Sequence, residues 1–293
     1  MEIATLSDAS TTHVCVRRDG AWHALPTVPG QERETLLAAL AGPARALASA
    51  RPLEPATQFS PVMPYLPARD VFCLGKNYSA HAEEFSRFSG DGQAVPDAPV
   101  VFTKSRWALC GPTDYLTVAP SLAGALDYEA ELAVVIGRGG AAIPAATALC
   151  HVAGYSVIND TTARDLQRVH TQWFLSKSLP KATPWGPVVV TPDELEPFSG
   201  REISATVNGE LRQRARLGQM IFSVQEAIAC ISRVLPLEAG DLIAMGTPSG
   251  VGVGFDPPRF LGDGDTVVCR VEGIGELRNS VQVRAMSPAR NEQ

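Results

Sequence analysis

No run of about 18 apolar residues occurs in this chain of 293, so it holds no segment suited to cross a bilayer as a helix. The opening Met1-Glu2-Ile3-Ala4-Thr5 has no basic stretch leading into an apolar one, and no secretory signal is read there. Basic charge is scarce: 25 Lys and Arg against 31 Asp and Glu leave a formal net charge of −6. That balance argues against a nucleic-acid partner, because phosphate binding needs clustered cations. The six cysteines (Cys15, Cys73, Cys110, Cys150, Cys230 and Cys269) form no C-x-x-C and no tight spacing. Several lie in apolar runs, such as Cys73 in Val71-Phe72-Cys73-Leu74, and read as small buried hydrophobes in a reducing cytoplasm. What is plentiful is apolar: 45% hydrophobic against 19% charged residues can bury a substantial core. The length suits one large domain, or one domain with a small appendage.

Along the chain, residues 1–30 alternate polar and apolar around Asp19-Gly20, which reads as a short hairpin. The alanine- and leucine-rich stretch from Glu32 to Ala50 reads as a helix. Pro52, Pro55, Pro61, Pro64 and Pro67 then fall within sixteen residues, too many for a regular element. They mark a linker, giving a small N-terminal domain over residues 1–67 and a larger unit over 68–293. The larger unit is mostly short strands between Gly and Pro turns, with a helix over Ser223–Val234. Two Gly-Asp turns, at Gly240-Asp241 and Gly264-Asp265, each feed a strand and read as architecture.

Chemistry gathers at a few places. In Asp127-Tyr128-Glu129-Ala130-Glu131 the run continues as a buried, branched strand, so Glu129 and Glu131 face the same way, roughly 6.5–7 Å apart. Asp160 ends a second strand that starts near Val152. Three carboxylates beside apolar strands suit a hard divalent cation with open positions for substrate; the alternative is a solvated strand face. In Gly75-Lys76-Asn77-Tyr78-Ser79-Ala80-His81-Ala82-Glu83-Glu84, a short helix would put His81 and Glu84 at i, i+3, on one side. A carboxylate on one imidazole nitrogen raises the basicity of the other; the alternative is an incidental surface ion pair. Lys177, flanked by apolar and aromatic residues, is either an oxyanion-stabilising group or a snorkelling surface lysine. The turn Gly246-Thr247-Pro248-Ser249-Gly250-Val251-Gly252 offers backbone N–H groups and the Thr247 hydroxyl to a carboxylate, or is a plain turn. It lacks the Gly-Lys-Ser/Thr ending of a nucleotide-phosphate loop.

Taken in order, eight stretches between about residues 68 and 284 resemble the fumarylacetoacetate hydrolase family, in its bacterial acylpyruvase and 2-oxo acid hydratase-like branch. They are LGKNYSAHAEEF, DYEAELAVVIG, AGYSVINDTTARDLQ, QWFLSKS, WGPVVVTPDEL, VNGELRQ, LEAGDLIAMGTPSGVG and LGDGDTVVCRVEGIGELRN. The resemblance implies an α+β, mainly β fold, a partly open barrel or roll with a small N-terminal α/β domain, working as a homodimer. It also implies Mg²⁺ or Mn²⁺, with Ca²⁺ as an in-vitro substitute, on Glu129, Glu131 and Asp160. His81 and Glu84 match the family's water-activating pair, and Lys177 its lysine near the metal. Gly246 and Thr247 match positions that help bind the substrate's carboxylate or oxo end, and Arg164 and Gln167 match positions near the pocket. The stretch Ser176-Lys177-Ser178-Leu179-Pro180-Lys181 departs from the family's usual Gly-Lys-Ser-Phe wording. No counterpart is seen to the further aspartate ligand of larger members, so three protein carboxylates are expected.

These matches predict a metal-dependent hydrolase that cleaves a carbon–carbon bond in a β-diketo acid of the acylpyruvate or fumarylpyruvate type, within small-molecule catabolism. His81, oriented by Glu84, would activate water, and the metal and Lys177 would hold the enolate. The rival reading is a hydratase, decarboxylase or keto–enol isomerase on a 2-oxo acid at the same site. A non-catalytic binding protein on this scaffold is a third. In each, the partner is a small 2-oxo or diketo acid, with no nucleic acid and no membrane.

Overall fold

The computed structural model describes residues 1–8, 11–53, 59–89 and 95–285. It is a mixed α+β fold made mostly of strands, an open roll whose sheets do not close into a barrel. A large sheet runs in the order Arg51–Pro52, Ala21–Ala24, Thr12–Arg18, Glu2–Ser7, Thr183–Val190, Val152–Asn159, Ala130–Ile136, Leu242–Ala244, Val71–Gly75, Val100–Lys104. A five-stranded sheet, Glu210–Arg216, Glu202–Val207, Thr266–Val271, Gly275–Val283 and Leu116–Val118, packs across it.

Strand alternation explains the layering. On Ala130–Ile136, Leu132, Val134 and Ile136 enter the core shared with Ile203, Val267 and Leu277 of the smaller sheet. Ala133 and Val135 point the other way, into a second core with Ile158 and Val189, which also packs Leu36, Leu40 and Ala46 from the N-terminal helices. The strand is therefore apolar on both faces, as a central strand must be. The hairpin at Asp19-Gly20 is present, with both turn residues at positive φ (50° and 80°) and Arg18 facing Ala21. Two-residue turns of that hand match the right-handed twist of the strands they join.

The helix expected over Glu32–Ala50 is two helices, Glu32–Ala41 and Pro43–Ser49. Pro43 has no N–H to continue the ladder, so Gly42 closes the first helix by donating to the Ala38 carbonyl. Ser223 caps Val224–Ser232 in a capping box with Glu226. Of the linker prolines, Pro55 lies outside the described residues. Pro61 sits in a short strand beside Glu2–Ser7, and the Pro64 carbonyl accepts from the Thr5 hydroxyl at 2.6 Å. The first strand also pairs with Thr183–Val190, so the N-terminal residues continue the large sheet.

Gly154, in the middle of Val152–Asn159, sits where a Cβ would lie 2.7 Å from both Val189 Cγ1 and the Val190 carbonyl oxygen. Gly154→Ala is expected to cost about 1–3 kcal/mol by overpacking, read as a lowered urea midpoint. Gly124→Ala, where a Cβ meets nothing within 4 Å, should leave the midpoint unchanged; equal effects at the two positions would refute the close-packing account.

Candidate active site

The acidic trio is assembled by strand register. Ala130 pairs with Asn159 and Glu131 with Ile158, so Glu129 lies opposite Asp160, whose N–H donates to the Glu129 carbonyl at 2.9 Å. Glu129, Glu131 and Asp160 are 3%, 1% and 0% exposed, and a ligand oxygen from each lies within 4.8 Å of the others. Such crowding of buried carboxylates demands positive charge. Lys177 Nζ lies 2.7 Å from Glu129 Oε2 and 2.7 Å from Asp160 Oδ2. Lys104 Nζ approaches Asp160 Oδ1 to 2.6 Å and also donates to Thr161 O and Thr183 Oγ1. Arg164 reaches Glu129 Oε1 at 2.6 Å and Asp127 Oδ2 at 2.8 Å. Glu131 accepts from the Gly246 N–H at 2.8 Å and, among the described residues, pairs with no cation.

This asymmetry shows in the acidities. Burial alone would raise the Glu129 carboxyl, but Lys177, Arg164 and His81 draw it down to about 2. Burial raises Glu131 as well, and there Asp160 and Glu129 add to the effect, so it stands well above the ordinary carboxyl range. Lys177 is opposed by burial yet held above an ordinary lysine by Asp160 and Glu129. All-oxygen donors crowded together, with one carboxyl, Glu131, pushed up by burial and by the carboxylates beside it, fit a hard divalent cation.

His81 and Glu84 lie on the helix Ser79–Ser89, with Nδ1 to Oε2 at 3.2 Å and both side chains buried. The carboxylate orients Nδ1–H toward itself and leaves Nε2 as the base. His81 lines one small cavity together with Glu129, Glu131, Lys177 and Thr247, and the free space there is about 20 Å³. Phe85 and Phe102 meet Trp173 edge-on, at 5.4 and 5.1 Å between ring centres, and form its apolar wall. A far roomier hollow, about 460 Å³, lies by the N-terminal helices against Leu25, Glu34 and Ser49, so size alone does not mark the chemistry.

The residues expected to bind substrate are largely engaged within the protein. The Arg164 guanidinium faces Asp127, Glu129 and the Gln167 side-chain oxygen. The Thr247 hydroxyl donates to Ala130 O and accepts from Gln213. The glycine turn does bind carboxylates, as its exposed N–H groups suggest, but they are the protein's own. Gly246 serves Glu131, Gly250 serves Glu84, and Gly252 and Val253 serve Asp127. Sequence reasoning missed Lys104 and gave Asp127 no role. The visible signal for Lys104 was a lysine closing an otherwise apolar strand, Val100-Val101-Phe102-Thr103-Lys104.

Residues 70–282 match the model of the fumarylacetoacetate (FAA) hydrolase C-terminal family. The oxaloacetate tautomerase YisK of Bacillus subtilis (strain 168) is 45% identical over 215 residues, 73% of this chain and 70% of that protein. Among solved structures, the fumarylacetoacetate hydrolase of Exiguobacterium antarcticum superposes with a TM-score of 0.81 at 37% identity, covering 97% of this chain and 100% of the other. The 5-carboxymethyl-2-hydroxymuconate delta-isomerase of Mycobacterium smegmatis gives 0.76 at 32% identity, covering 98% and 100%.

Metal binding is testable through Glu131. A group whose folded pKa is raised favours the protonated folded state, so its stabilisation fades as pH rises through that pKa. Metal-free Glu131→Gln is therefore expected to melt higher than wild type, with the gain growing from pH 5 to pH 8. Mg²⁺ or Mn²⁺ at about 100 times Kd should add about 2.7 kcal/mol to the wild type, reversed by chelator, and little to the variant. An equal metal-induced rise in Tm in both proteins would remove Glu131 from the ligand set.

Proposed function

The chain belongs to the fumarylacetoacetate hydrolase family, and from that premise we propose that it is a keto–enol tautomerase of a short 2-oxo acid of the oxaloacetate type. One observation carries the reading. His81, held at Nδ1 by Glu84, lines one cavity together with Glu129, Glu131 and Lys177, so a single base faces the acidic site. Keto–enol exchange needs a proton removed and returned, and no attacking water. The name of the Bacillus subtilis relative supports the same reading.

In this mechanism His81 Nε2 takes the proton from the carbon next to the oxo group. The electron pair of the broken C–H bond becomes the new C=C bond, and the oxo oxygen gains negative charge. Lys177, whose ammonium has a donor beyond its two carboxylate partners, faces that charge. His81 then returns the proton to oxygen, completing an isomerisation with no net gain or loss of atoms. Glu84 holds Nδ1–H throughout and keeps the imidazole in one tautomer. Bound at Glu129, Glu131 and Asp160, a Mg²⁺ or Mn²⁺ ion would supply Lewis-acid charge to the oxo end. Arg164 positions Glu129, and the substrate contacts expected of Gly246, Thr247, Arg164 and Gln167 become secondary to their internal bonds.

Residues 68–293 are the catalytic unit in this reading, with residues 1–67 an appendage on the sheet. Six unpaired thiols support a reducing cytoplasm, and the family resemblance supports a homodimer.

A second reading stays open on a specific observation: the His81–Glu84 pair can also activate water, as hydrolysis of an acylpyruvate requires. NMR separates the two. Tautomerisation exchanges keto and enol oxaloacetate without new products, whereas hydrolysis of an acylpyruvate releases pyruvate and a carboxylic acid. The expected result is rapid, metal-dependent enol–keto exchange, lowered about 10²- to 10⁴-fold in kcat by His81→Ala. Wild-type kcat in that variant would sink the proton-transfer role.

A further inference from the structure

The segment from Gly250 to Gly254 joins two parts of the site that lie on different elements. Its Gly250 N–H points at both oxygens of Glu84, at 3.1 and 3.2 Å. Two residues on, the Gly252 and Val253 N–H groups grip the Asp127 carboxylate at 2.6 and 3.0 Å. Asp127 is wholly buried and holds Arg164, which in turn holds Glu129. The segment is thus anchored at Asp127, in the short strand Leu126–Asp127, and presents its flank to the helix that carries His81 and Glu84.

At Gly254 the approach is closest. A Cβ built there would overlap the Glu84 carboxylate, touching Oε1, Cδ and Cγ in turn. Glycine at this position leaves room for Glu84 to lie against the loop while Oε2 reaches His81 Nδ1. Any larger residue would push that carboxylate off its seat. The chain to be moved is a flexible side chain and not backbone, so the protein can fold and Glu84 can yield.

We infer that Gly254 is a positioning residue: it sets the Glu84 carboxylate, and through it the His81 imidazole, relative to the acidic trio. The inference rests on the reading of His81 and Glu84 as the proton-transfer pair. It also assigns the glycine-rich loop a function distinct from substrate binding, since the loop registers the base against the metal ligands.

The test is a double-mutant cycle on kcat with oxaloacetate, combining Gly254→Ala with Glu84→Ala. Gly254→Ala alone is expected to lower kcat about 10²-fold, the scale of a 1 Å misplacement, with KM and the metal-induced rise in Tm retained. In the Glu84→Ala background the same change should alter kcat less than about twofold, because no carboxylate remains to be displaced. If Gly254→Ala folds poorly, removing Glu84 should restore folding. Full additivity, wild-type kcat in the single variant, or a failure of Glu84→Ala to relieve misfolding would each overturn the inference. His81→Ala run in parallel distinguishes the two layers: wild-type kcat there defeats the proton-transfer reading itself, whatever Gly254 does.

Discussion

Lys177 between Glu129 and Asp160 is the contact on which the rest of the site depends. Around it runs an unbroken alternation of buried charge: Lys104, Asp160, Lys177, Glu129, Arg164, Asp127. Removing one member of a buried pair leaves its partner desolvated and uncompensated, which costs about 3–5 kcal/mol. The strands that bring these residues together are therefore tied to the site as much as the site is to them. Among the described residues Glu131 has no ion-pair partner, and its raised pKa, from burial and the neighbouring Asp160 and Glu129, marks where positive charge is lacking.

The second constraint is the loop from Gly246 to Gly254. The N–H groups of Gly246, Gly250 and Gly252 bind Glu131, Glu84 and Asp127, three acids from the strand Ala130–Ile136, the helix Ser79–Ser89 and the short strand Leu126–Asp127. A backbone donor has no side-chain rotamers to order, so once the loop's backbone is fixed it holds three carboxylates in fixed relation with no further side-chain entropy lost on the donor side. That arrangement suits chemistry in which a base and an oxyanion site must stay in register. The aromatic residues Phe85, Phe102 and Trp173 give the same space one apolar wall, which strengthens the electrostatic contacts beside it.

Much of this was legible from spacing. Glu129 and Glu131 share a face because strand side chains alternate, and His81 meets Glu84 because helix positions three apart do. Both are local consequences of backbone geometry. The longer expected helix failed at Gly42-Pro43 because a missing N–H and a closing glycine outweigh a good alanine-leucine pattern. The role of Lys104 was not legible because its partners, Asp160, Thr161 and Thr183, lie 56 to 79 positions away and meet it only through sheet order. Arg164 and Thr247 line the cavity, but their bonds to Asp127, Glu129 and Ala130 were not legible, since nothing in a sequence tells which of several acceptors a buried donor will meet.

The sequence by itself determined which residue types stand at strand and helix intervals, and so which acids could cooperate. Its family wording also pointed to enolate chemistry on a 2-oxo acid, with hydrolysis expected first and keto–enol isomerisation as the rival. Only the tertiary structure decided that Asp160 closes the trio, that Lys104, Lys177 and Arg164 neutralise it, and that the loop's N–H groups serve the protein's own carboxylates. The physical reason is range. Alternation and helical pitch act over a few residues, whereas charge compensation and desolvation depend on what the register of distant strands brings within about 3 Å.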